Sequence, residues 1–259
     1  MKSQDILLLF KMASLYAQEE NLLIDNEQLD RAVESAIQAP GWEYNRTGRF
    51  FRPSGSEYPD TDSAPVLSYS NVAKEARLLL MGGESWEGWI DPVEPVDATR
   101  SSWSDRYSVR ALSASLGLSK SEVSNAMGRC RESGLLINDH ATGLPKVNRR
   151  ELLKLAEHAL KYFFPVRPGA LVRGIPTCFA APALNRSIRS AGDTLYVWPD
   201  PLGVERGQLI DPLYKTVPHA VKQDRTLYHY LALVDAIRVG GPRETSVAVG
   251  ILKAGLGLK

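Results

Sequence analysis

"LGLSKSEVSNAMGRCRESGLL", residues 116–136, sets a glycine turn, a helix start and a helix stop within twenty-one residues. Ser119-Lys120-Ser121-Glu122 has the form of a capping box: the serine hydroxyl accepts the amide three residues on, and the glutamate reaches back to the serine amide. The spacing predicts a helix over 120–133, with Val123, Met127 and Cys130 as its buried stripe. Gly134 ends it before the strand-like Leu135-Leu136-Ile137. Upstream, "YSVRALSASLGL" (107–118) puts Val109, Leu112 and Leu116 on helical spacing, with Ser108 as the cap and Gly117 as a left-handed stop. Helix, tight glycine turn, helix is the spacing of a helix-turn-helix.

The side of the second helix opposite Val123 and Met127 carries Ser121, Ser124, Asn125, Gly128 and Glu132, flanked by Arg129 and Arg131. A helix that enters a major groove needs short side chains for close approach, amides and hydroxyls for base edges, and cations for phosphate. Asn125 is the best candidate base reader, with Ser121 and Ser124 beside it and Arg129 toward phosphate. Ser119, Lys120 and Ser121 stand where free amides and the helix dipole favour an anion. Glu132 counts against this reading unless it lies beyond the groove, and a merely solvated helix face is the competing account.

Next come "LLIND", "HATGLP" and "KVN" (135–148), which read as strand, glycine-containing loop, strand, followed by the amphipathic helix "RRELLKLAEHALKYFF" (149–164). A hairpin over 137–148 would be a wing, with His140, Lys146, Arg149 and Arg150 as candidate contacts to the nucleic-acid backbone, indifferent to base sequence. Over residues 103–164 this arrangement resembles the winged helix-turn-helix of MarR-like bacterial regulators. The resemblance implies operator DNA as ligand and a homodimer as the binding species.

Such modules carry a helix directly before the "YSVRALS" element, yet "SSWSD" (101–105) reads as loop. The N-terminal "SQDILLLFKMASLY" supplies one, with Ser3 as cap and Ile6, Leu7, Phe10 and Leu15 for packing. Residues 17–102 would then interrupt the module. The alternative is a small N-terminal domain with residues 71–81 as the module's first helix. Inside the interruption, "DNEQLDRAVESAIQAPGW" (25–42) and "SNVAKEARLLLMGG" (70–83) read as helices separated by a turn-rich stretch.

The net charge of +1 conceals a division: residues 17–102 hold 7 Lys/Arg against 16 Asp/Glu, and the remainder 24 against 14. A basic body suited to a polyanion thus carries an acidic segment, which also holds Trp42, Trp86 and Trp89. Tryptophan with acid is a candidate protein-contact surface, though tryptophans also build small cores.

From about Pro165 proline and glycine rise, giving an extended connection with a short helix toward its end. A hairpin around Pro201-Leu202-Gly203 and a helix over 224–241 with Leu227, Tyr230, Leu231 and Val234 inward complete a small α+β unit. Its task would be dimerisation, effector binding or partner binding. Chemistry finds little purchase. The histidines His140, His158, His219 and His229 lack metal-ligand spacing, and no P-loop or G-x-S-x-G elbow is present. Asp60 and Asp62 are most simply turn residues, and sequence alone does not bring Asp200 and Asp211 together. Cys130 and Cys178 form no metal pair and no disulfide framework, which fits a reducing compartment, and the apolar run 6–10 is far below the ~20 residues of a membrane span.

The expected fold is therefore α+β: a winged helix-turn-helix (1–16 plus 103–164), an acidic helical insertion (17–102) and a C-terminal α+β domain (165–259). The expected function is a cytoplasmic, homodimeric DNA-binding regulator of the repressor kind, with no enzyme activity, metal or cofactor. The alternative is an antitoxin-like interaction module that holds a partner protein, using the winged fold and the acidic insertion.

Overall fold

A computed structural model describes residues 1–20, 22, 43–44, 50–51, 103–140, 142–181 and 195–258. Between residues 23 and 102 only a two-rung antiparallel pair is described, β1 (Glu43–Tyr44) with β2 (Phe50–Phe51). The two helices expected in the acidic segment, its three tryptophans and the alternative first helix at 71–81 lie outside the described residues; of the stretch expected to end in a short helix after Pro165, a single turn over Cys178–Ala180 is described and residues 182–185 are not.

The chain is mixed helix and small sheets. Helix α1 (Ser3–Glu19) begins one residue earlier than its expected cap implies. Lys2 is the N-cap, and its amide donates to the Asp5 carboxylate at 2.7 Å. Ile6, Leu7, Leu8, Leu9 and Phe10 are each 0% exposed, so α1 is enclosed on all sides rather than amphipathic. Burial on that scale contributes about 1.5–3 kcal/mol per side chain, which makes α1 the axis of the core.

One turn, α2 (Trp103–Arg106), stands where "SSWSD" reads as loop. Then follows α3 (Val109–Leu116), capped by the Ser108 hydroxyl, which accepts from the Ala111 amide at 3.2 Å. Gly117 takes φ 61°, the left-handed turn that glycine adopts without steric cost. Its Cα faces α7 (Val217–Val221) so closely that an added Cβ would stand 3.1 Å from the His219 ring. Helix α4 (Lys120–Glu132) opens with the expected capping box and buries Val123, Ala126, Met127 and Cys130 against α1 and α3. Strands β3 (Leu136–Asn138) and β4 (Pro145–Val147) pair antiparallel, Leu136 opposite Val147 and Asn138 opposite Pro145. The following helix breaks at Ala159 into α5 (Arg149–His158) and α6 (Leu160–Phe163).

The C-terminal region departs further from expectation. Strand β5 (Leu171–Pro176) pairs antiparallel with both β6 (Tyr196–Pro199) and β7 (Glu205–Leu209), and the latter two pair parallel, Tyr196 opposite Gln208. Pro201-Leu202-Gly203 is thus not the turn of an antiparallel hairpin; it links two strands that share β5, and the three close on themselves. Closure demands backbone contact. A Cβ on Gly203 would stand 2.1 Å from the Gly174 backbone, and one on Gly174 1.9 Å from the Trp198 carbonyl oxygen.

Helix α8 (Arg225–Val239) is buried from Thr226 to Arg238, again on every side. Helix α9 (Pro242–Gly255), with proline in its first turn, covers it and packs on α5. Two buried polar hubs hold α8. Asp224 caps it through the Leu227 amide (2.9 Å) and takes Lys11 Nζ (2.7 Å), Ser14 Oγ (2.5 Å) and Gln18 Nε2 (2.9 Å) from α1. Asp235 accepts from Thr177 Oγ1 (3.0 Å) and Trp198 Nε1 (2.6 Å) and pairs with Arg238 (2.6 Å). Helix α1 therefore has α4 on one side and α8 on another, and one continuous apolar core runs through both.

Candidate nucleic-acid interface

The α4 helix is fastened by its ends and by one side. At its start the Ser119 amide donates to Glu122 Oε2 (2.9 Å) and the Glu122 amide to Ser119 Oγ (3.2 Å). These Ser119 hydrogen bonds hold the Glu122 carboxyl below its usual range, with Lys215 and Lys2 acting in the same sense. At its end Gly134 adopts φ 71°. The inner stripe anchors it, and burial pushes the Cys130 thiol up to about 12, so that cysteine is a packing residue without thiolate reactivity.

This fastening leaves Ser119, Lys120, Ser121, Ser124 and Asn125 exposed together on one face. Gly128 continues the face, and a Cβ added there would meet nothing within 4 Å. The face is thus open at Gly128 and made of hydroxyls, one carboxamide, the Lys120 ammonium and a bare backbone. Glu132 ends it, also exposed.

Two expected cations point elsewhere. Arg129 forms two hydrogen bonds with the Asp5 carboxylate, Nε to Oδ2 at 2.9 Å and Nη2 to Oδ1 at 2.5 Å. The Asp5 bonds raise the arginine's pKa, and the Asp5 side chain is 0% exposed against 28% for Arg129. A bidentate pair of this kind is strong because both partners are charged and their planes match, so Arg129 is a clasp between α4 and α1. Arg149 likewise turns inward, its guanidinium 4.1 Å from the Tyr16 ring centroid and donating to the Leu256 carbonyl. It joins α5 to α1 and to the end of α9.

The hairpin presents the remaining candidates. After β3 the Asp139 carboxylate accepts from Thr142 Oγ1 (3.0 Å) and the Thr142 amide (3.1 Å) and is held below its usual pKa range by them. Lys146 stands 3.3 Å from the same carboxylate, partly exposed, and His140 is exposed at the loop. Ile137 on β3 is 48% exposed. Behind the hairpin a cavity of about 140 Å³ opens between α1 and the strands, with Tyr16, Tyr107 and Lys146 in its wall. Among the described residues no group of three His, Cys, Asp or Glu side chains is placed to hold a metal ion, and no helix is long and apolar enough to cross a membrane.

The structure brings together Ser119, Lys120, Ser121, Ser124, Asn125 and Gly128 on one helix, and His140 with Lys146 on the hairpin. Sequence alone does not single out Asp5, which pairs with Arg129, because it lies 124 residues away. Lys2 and Lys215 are also missed as neighbours of the α4 face, for the same reason. No family model, no curated protein and no solved structure matches the chain.

Proposed function

We propose that the chain is a duplex-DNA-binding regulator that reads base edges with the outward face of α4. The observation that carries this reading is the face itself: Ser121, Ser124 and Asn125 exposed on a helix clasped from behind, with open space at Gly128. A B-form major groove is about 12 Å wide and admits one helix. With no side chain at Gly128 the backbone approaches the groove floor, where Asn125 offers the paired donor and acceptor that suit adenine. Lys120, His140 and Lys146 serve phosphates, and α3 with its glycine turn sets the insertion angle. The hairpin β3–β4 is then the wing, and a second copy of the chain would supply a second half-site, as winged helix-turn-helix regulators do.

A second reading, a module that holds a partner protein, draws support from Tyr162 and Phe163, adjacent on α6 and 79% and 76% exposed. Aromatic side chains of that exposure are suited to anchor an interface.

Fluorescence anisotropy with duplex DNA from the chain's own upstream region and with a scrambled duplex, at two salt concentrations, separates the cases. Tighter binding to the upstream duplex at both salts supports a regulator. Equal and steeply salt-dependent binding, or none, contradicts it.

A further inference from the structure

A helix lodged in a major groove has a phosphate strand along each of its long sides. At about 100° per residue, Lys120 and Arg131 border the outward face of α4 on one side, and Glu122 and Arg129 border it on the other. The first side carries two exposed cations. The second carries none that is available from α4 itself: Arg129 is clasped by Asp5, and Glu122 is an anion. Left to α4 alone, the groove's second wall would be repelled.

Cations from elsewhere in the chain stand on that side. Asp5 grips Arg129, so the first turn of α1 lies along it, and Lys2 caps that turn with its amide 2.7 Å from the Asp5 carboxylate. Thr216 abuts the glycine turn, its Cβ 3.5 Å from where a Gly117 Cβ would be, and this packing carries the neighbouring Lys215 to the start of α4. Both lysines are exposed, and both act electrostatically on Glu122. Among the described residues neither is in an ion pair.

We infer that Lys2 and Lys215 line the second wall of the DNA-binding surface, so that the cap of α1 and the segment before α7 contact the phosphates that α4 cannot. The inference rests on the regulator reading above. It gives the C-terminal region a direct share in binding, beyond dimerisation or effector capture.

The test uses the full-length chain with single Lys2→Ala and Lys215→Ala variants, the double variant, and Lys253→Ala on α9 as a distant exposed lysine. The readout is the slope of log binding constant against log salt, measured on the upstream and the scrambled duplex. Removing one lysine–phosphate pair should flatten the slope by about 0.9, and the double variant should flatten it by about twice that. The preference for the upstream duplex should persist, because phosphate contacts position the helix without reading sequence. Slopes equal to wild type in both single variants would overturn the inference while leaving the regulator reading standing. Equal flattening by Lys253→Ala would also overturn it, since only overall charge would then matter. Failure of the wild-type chain to bind any duplex would remove the regulator reading itself, and this inference with it.

Discussion

Replacing Arg129 by alanine separates two accounts of the same residue. On the face of α4 taken alone it is a phosphate contact; in the folded chain it is the partner of a carboxylate with 0% side-chain exposure. Removing the guanidinium leaves Asp5 enclosed, retaining the Lys2 amide at 2.7 Å but without its two charge-assisted hydrogen bonds to the arginine. Such bonds contribute about 1.5–3 kcal/mol where the group left behind is buried, and the 28% exposure of Arg129 calls for discounting by solvent screening. The expected loss is about 2 kcal/mol, or roughly 4–8 °C in Tm for a chain of this size. Asp5→Asn should cost less, because the guanidinium then swings into water while the amide keeps one acceptor. Urea and thermal unfolding of both variants measure the stability. Anisotropy titration across salt measures the other account, which requires the slope to flatten by about one. A Tm equal to wild type with a flattened slope would refute the clasp.

Other consequences are equally direct. Asn125→Ala should leave Tm unchanged and lower affinity for the upstream duplex by about 1–3 kcal/mol, with little effect on the scrambled duplex. Burial lowers the His229 imidazole to about 4, whereas an unfolded histidine titrates near ~6.5. As pH falls through that window the unfolded chain takes up the proton first, so stability is full above pH ~6.5 and declines by about 3 kcal/mol toward pH ~4. Urea midpoints at pH ~7 and ~4.5 should show this loss, and His229→Gln should shrink the pH-dependent part. Gly203→Ala forces a Cβ to within 2.1 Å of the Gly174 backbone, and should abolish closure of the three strands, seen as aggregation or loss of the Trp198 near-ultraviolet signal.

What is legible in the sequence is local. The Ser108 cap, the Gly117 turn, the Ser119 and Glu122 box and the Gly134 stop each depend on residues within a few positions, and all are realised. The outward face of α4 follows from its period. What is not legible depends on distant partners. Arg129 reads as a surface cation until Asp5 arrives from 124 positions away, and Arg149 until Leu256 does from 107. Helix α8 reads as one-sided, with Leu227, Tyr230, Leu231 and Val234 inward, yet Thr226, His229, Asp235 and Arg238 are buried as well. Two of these find distant partners: Asp235 accepts from Thr177 and Trp198, and Arg238 donates to the Phe164 carbonyl at 2.8 Å. The parallel pairing of β6 with β7 hides behind an ordinary turn sequence, since nothing local reveals that both strands share β5. Helix α9, absent from the expected elements, does carry local signals: Pro242 after two glycines starts it, and Val247, Ala248, Ile251 and Leu252 keep helical spacing.

The central claim is that the outward face of α4 reads bases. Selection from a pool of randomised duplexes by the full-length chain at near-physiological salt addresses it most directly. The account predicts enrichment of one motif, with a position that relaxes when Asn125→Ala repeats the selection. A pool that emerges with no enriched motif would contradict it.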